Sequence, residues 1–80
     1  MEDFKQAIDL LEDLKMDSFA PRSVRLIAEE AINILKGKDD ERGLCIDKVI
    51  QILDKISNDP NIDMGIRTKV WGIVSVLEAQ

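Results

Sequence analysis

The 80-residue sequence has no histidine, no tyrosine, one cysteine and two prolines. Each shortage excludes something. Without histidine there is no ordinary general base, no imidazole metal ligand and no side chain that titrates near neutrality. The lone Cys45 cannot form an internal disulfide, and no histidine or second cysteine is present to activate or resolve it. A structural thiol is the expected reading. Three aromatics (Phe4, Phe19 and Trp71) and four glycines are too few for an all-β domain. No signal segment and no long apolar run are present, so the expectation is a soluble, cytoplasmic protein with no membrane association.

Positive charge is also scarce. The formal net charge is −5, with ten acids against six bases in residues 1–40 and six against five in residues 41–80. Neither half offers a phosphate-tracking surface, which leaves nucleic-acid association to one local patch of Lys48, Lys55, Arg67 and Lys69.

What remains is 45% hydrophobic and 34% charged, patterned for helices. Apolar residues recur at i, i+3, i+4 and i+7 in four stretches, about 2–15, 21–36, 40–57 and 64–78. Pro21 suits the first turn of the second helix, and Gly37 can end that helix in a left-handed conformation. Asp39 or Asp40 is placed to cap the third helix and Asp63 the fourth.

Sliding the chain on itself by 42 residues lays residues 7–36 without a gap on residues 49–78. Ile8 meets Ile50, Leu11 meets Leu53, Asp17 meets Asp59, Arg25 meets Arg67 and Leu35 meets Leu77. The spacing predicts two helical hairpins, about 2–36 and 40–78, related by an internal pseudo-repeat. Their period and their Val-Arg or Ile-Arg opening of the second helix are HEAT-like.

The stretch "SNDPNIDMG" resembles the start of a calcium loop, but the ligand count fails. From Asp59, the sixth position is Met64 where glycine is required, and the twelfth is Val70 where a bidentate glutamate is required. The equivalent stretch "MDSFAPRS" keeps only Asp17. Both read as turns.

Two further segments carry a resemblance. "ILDKISNDPNIDMGIRTKVWGIVSVLEA", residues 52–79, and "PRSVRLIAEEAI", residues 21–32, are similar to uncharacterised protein family zero-one-four-seven. That family shows a like series of Ile-Leu-Asp, Ile-Ser-Asn-Asp-Pro-Asn, Arg, Trp and Leu-Glu. The resemblance implies a small, all-helical archaeal cytosolic protein with no known activity and no catalytic residues to carry over. Where the family often has prolines before the fourth helix, this chain has Asp63 and Met64.

Arg25 and Arg67 each lie eight residues after an aspartate, Asp17 and Asp59. One reading ties each arginine to its own turn, through the aspartate or loop carbonyls; the other offers the two guanidiniums to an anionic ligand. Trp71 falls about 140° from Ile66 on a helical wheel, outside the apolar stripe and beside Arg67 and Glu78. It either packs at the core margin, with Arg67 over its ring, or anchors an interface. Leu10, Ile34, Ile52 and Val76 widen the apolar faces, for a broad core or for a second chain. The pairs Glu29–Glu30 and Asp39–Asp40 read as solvated faces or caps, since adjacent helical residues diverge by about 100°.

The expectation is an all-α, four-helix-bundle-like domain without catalytic residues, cofactor or metal. The second helix is expected to pack on the fourth. A domain this small buries only about 60% of its unfolded surface, so the two hairpins either close on each other or borrow surface from another chain, in a homodimer through the fourth helix and Trp71. The anticipated role is protein–protein interaction or assembly through Trp71, Arg67 and Val76. The local basic patch is the alternative.

Overall fold

The computed structural model describes residues 4–37 and 41–80 and contains four helices. They are α1 (Lys5–Lys15), α2 (Arg22–Lys36), α3 (Arg42–Ser57) and α4 (Met64–Glu78). Each buries the stripe its spacing marks out. Ala7, Leu11 and Leu14 come from α1, and Val24, Ala28, Ala31, Ile32 and Leu35 from α2. Cys45, Val49, Leu53 and Ile56 come from α3, and Ile66, Val70, Ile73 and Leu77 from α4. Together with Ala20 these form one apolar core.

The helices pack as a closed ring. α1 lies on α2, α2 on α3, α3 on α4, and α4 returns to α1. The expected packing of α2 on α4 is therefore wrong, because these two are diagonal partners. Loops of five or six residues can bring only consecutive helices side by side. With neighbours about 10 Å apart, the diagonal of a square bundle is about 14 Å, too far for direct packing. The Cα radius of gyration, 11.7 Å, matches the roughly 11.6 Å expected of a compact chain of this length. One chain alone closes the core.

Three helix boundaries depart from expectation. Pro21 occupies the N-cap position, just before α2. Gly37 is extended, with φ −70° and ψ 160°, and no described glycine has positive φ. Its N–H already reaches the carbonyls of Asn33 and Ile34, and the chain then leaves in an extended conformation. Glu41 holds the N-cap of α3 without a side-chain bond, and Asp39 and Asp40 lie outside the described residues. Asp63 does cap α4, its Oδ2 accepting the Gly65 N–H at 2.8 Å. Such a cap stabilises by about 1 kcal/mol.

The chain alternates direction, so the α1–α2 and α3–α4 turns share one end of the bundle. The other end is fastened by Arg42. Its guanidinium sits 4.9 Å from the Phe4 ring centroid, and its Nη2 donates to Gln80 Oε1. The start of α3 is thereby tied to the start of α1 and the end of α4.

Candidate interaction surface

The shared turn end is organised by two aspartates that use their oxygens on the backbone. Asp17 Oδ1 accepts the Phe19 N–H at 2.8 Å, and its carbonyl accepts the Ala20 N–H at 3.1 Å. Asp59 Oδ1 accepts the Asn61 N–H at 2.9 Å, and its carbonyl accepts the Ile62 N–H at 3.2 Å. These are Asx-type turns, in which a short carboxylate replaces a strand or helix partner for an otherwise orphan amide. The carboxylates of "SNDPNIDMG" are thus occupied in shaping a turn. Among the described residues, no three acids or cysteines converge in a metal-holding group.

Each arginine closes its own turn from one side. Arg25 Nη2 donates to Asp17 O at 3.2 Å, and Arg67 Nη1 donates to Asp59 O at 3.3 Å. The acceptor in both cases is the carbonyl rather than the carboxylate. Arg67 also donates from Nη2 to the Met64 thioether at 3.6 Å, while its buried Nε has no acceptor. Arg67 does not lie over the Trp71 ring as expected, because these contacts turn its guanidinium back toward the loop.

The two turns also differ in an ion pair. Lys69 Nζ donates to Asp17 Oδ2 across the seam between α4 and the α1–α2 turn. The 42-residue counterpart of Lys69 is Ile27, and Asp59 makes no such ion pair among the described residues. Asp17 is therefore the hub, engaging Phe19, Ala20, Arg25 and Lys69 with its carboxylate and carbonyl. The Lys69 ammonium, followed by the Phe19 N–H, holds the Asp17 carboxyl below its ordinary value of 3.8.

That shift has a signed consequence. A carboxylate whose folded pKa is depressed stabilises the fold above its unfolded pKa, and this contribution is lost as pH falls through the folded value. Asp17→Asn is accordingly expected to be less stable than the parent at pH 6, with the gap closing below about pH 4. Thermal melts of both chains across that range measure it. A gap that does not change with pH would remove the Lys69 pairing from the account.

On this braced end stand large apolar side chains. Met16 is 83% exposed and Phe19 81%, with Met64 55% exposed at the adjoining start of α4. Sequence reading missed Met16 and Phe19. The signal was available in the 42-residue alignment, which sets them against the polar Asn58 and Asn61.

The other nominated residues do not share a face. Trp71 is 47% exposed on the outer side of α4, one turn beyond Arg67. Val76 is partly buried against the core about 140° round the same helix. Leu10, Ile34 and Ile52 also pack partly buried on the core. Nor do Lys48, Lys55, Arg67 and Lys69 make one patch. Arg67 and Lys69 diverge by about 200° around α4 and reach different turns. Between α1 and α4 a shallow groove of about 270 Å³ is lined by Leu10, Lys69, Gly72 and Ile73. Its one charge, Lys69, is committed to Asp17.

Comparison with known proteins agrees with this architecture. The crystal structure of a UPF0147 protein from Thermoplasma acidophilum superposes with a TM-score of 0.91 at 32% identity, covering 96% of this chain and 91% of that one. A UPF0147 protein from Methanothermobacter thermautotrophicus is 42% identical over 78 residues, 98% of this chain and 76% of the relative. One from Pyrococcus furiosus is 37% identical over 78 residues, 96% of this chain and 84% of the relative. The family model matches residues 1–79, and the chain belongs to the uncharacterised protein family UPF0147.

Proposed function

We propose that this chain is a small, non-catalytic interaction or assembly module that presents its turn end to a protein partner. The observation that carries the reading is the exposure of Met16 and Phe19 on a turn whose backbone is fastened by Asp17. A buried Phe side chain is worth about 1.5–3 kcal/mol over an exposed one, so leaving it in water is a cost that a partner would reverse. Fixing the turn beforehand reduces the ordering entropy that binding would otherwise incur. Aromatic and methionine side chains are also those enriched in interface centres.

The two hairpins are read as copies of one unit. Supporting this, the turn hydrogen bonds recur 42 residues apart, and buried residues coincide at Leu11/Leu53, Val24/Ile66, Ala31/Ile73 and Leu35/Leu77. HEAT-like hairpins elsewhere stack into open arrays, whereas here α1 closes on α4, so the free surfaces are turn ends and outer faces. Among the described residues no helix is long and apolar enough to cross a membrane, and a cytoplasmic setting is part of the proposal. The nucleic-acid alternative has less support, since Arg67 and Lys69 point apart around α4 and reach different turns.

The test is quantitative copurification from the source cells with wild-type, Phe19→Ser and Met16→Ser baits. Both substituted residues are solvent-exposed, so the fold is expected to persist. The reading requires a protein recovered stoichiometrically by the wild type and lost with both variants. Identical recoveries would refute it, and salt-sensitive RNA recovery unaffected by either change would favour the basic-patch alternative.

A further inference from the structure

We propose that the outer face of α4 is a two-fold interface on which a second copy of this chain packs antiparallel. Trp71 would meet Trp71 near the dyad, and Arg67 would meet the partner's Glu78 at both ends. Apart from Arg67, which also closes the α3–α4 turn, this surface is distinct from the turn end, and its failure would leave the preceding reading untouched.

Three observations converge on it. The first is what α4 lacks. Its 42-residue counterpart α2 carries Arg22, Glu29, Glu30 and Lys36 around the exposed Leu26. α4 has Met64, Trp71, Gly72 and Glu78 at those positions, and no charge between Lys69 and Glu78. In a chain of net charge −5, two copies repel each other overall, and residues 70–77 of α4 add no charge to that repulsion.

The second is charge complementarity. Arg67, Trp71 and Glu78 emerge from one edge of α4, within about 40° on the helical wheel, and the half-buried Arg67 guanidinium would swing out from the loop to meet a partner's carboxylate. Neither Arg67 nor Glu78 has an ion-pair partner among the described residues. Arg67 rests Nη2 on a thioether, a weak acceptor that a carboxylate would displace. An antiparallel two-fold keeps this edge on the same side in both copies, so Arg67 and the partner's Glu78 come to one level when the dyad passes midway between them.

The third is the position of Trp71, 47% exposed and the sole tryptophan. It lies one and a half residues from that midpoint, so the two indoles are offset by about 4.5 Å along the axes, within the range of offset stacking. Beside it the small side chains of Thr68, Gly72 and Ser75 let the helices approach closely, and a Cβ placed on Gly72 would meet nothing within 4 Å. One helix face offers less than the roughly 800 Å² per partner of a standard interface, so a dissociation constant on the order of micromolar is expected.

Sedimentation equilibrium from about 0.1 µM to about 100 µM, with Trp71 emission followed over the same range, tests the proposal. The 9.0 kDa chain is expected to double in mass as its emission shifts to the blue. Trp71→Ala should weaken association by about thirtyfold or more, as for an interface hot spot. Glu78→Arg faces arginine with arginine and should remain monomeric, while a cation there suits the C-terminal end of a helix and preserves the fold. Mixing Glu78→Arg with Arg67→Glu should restore a heterodimer. If Arg67→Glu does not fold, the Glu78→Arg and Trp71→Ala results decide alone. A mass fixed at 9.0 kDa throughout, or a dimer indifferent to both those changes, overturns the proposal.

Discussion

Leu11→Ala and Leu53→Ala are each expected to destabilise the fold by about 3 kcal/mol, lowering the melting temperature by roughly 12–24 °C. Both side chains are fully buried, at 0% exposure, on α1 and α3. Truncation loses the transfer energy of the removed methyl groups and leaves a cavity that close-packed neighbours fill only in part. For so small a domain this is a large share of a total that is commonly about 5–15 kcal/mol. On the proposal that the hairpins are copies of one unit, Leu11 and Leu53 occupy equivalent sites and the two losses should be alike. Urea and thermal denaturation provide the measurement. A severe loss at one site with tolerance at the other would count against treating the hairpins as copies of one unit.

Removing Arg67 to alanine should cost about 1.5 kcal/mol, against about 0.5 kcal/mol or less for Arg25→Ala. Hydrogen bonds from charged groups contribute about 1.5–3 kcal/mol, and two facts place Arg67 at the low end. Its bond to Asp59 O, at 3.3 Å, is longer than most charge-assisted bonds, and its buried Nε lacks an acceptor whose absence already carries a penalty. Arg25 makes a similar bond from a more exposed side chain, where water competes for both groups. Melts in dilute solution compare the two. Equal losses would mean that burial does not decide the strength of these turn bonds.

Much of the architecture was legible because it is local. The α2 stripe of Val24, Ala28, Ala31 and Leu35 follows from helical periodicity, and it is the buried stripe observed. Asp63 as the cap of α4 follows from the chemistry of a short carboxylate before a helix. Gly37 misled because a glycine permits a left-handed conformation without requiring one, and the direction of the next segment decides. Ring closure was misjudged for a related reason. Apolar stripes say how much surface a helix must bury, not which neighbour buries it.

The candidate surfaces show the same division. Spacing placed Trp71 outside the apolar stripe, and it is half-exposed. The prominence of Met16 and Phe19 came into view only with the turn folded, since apolar atoms supply much of a folded protein's surface as well as its core.

By itself, the sequence determined four amphipathic helices, the turns shaped by Asp17 and Asp59, and membership of an archaeal helical family. Tertiary structure decided that α4 returns to α1, that Lys69 reaches Asp17 across 52 residues of chain, and that three apolar side chains share one end. The physical reason is range. Hydrogen bonds within a turn and stripes along a helix involve residues a few positions apart, which a linear pattern encodes directly. Contacts between distant helices depend on loop lengths, helix spacing and the whole packed volume, and no single stretch of the chain carries those.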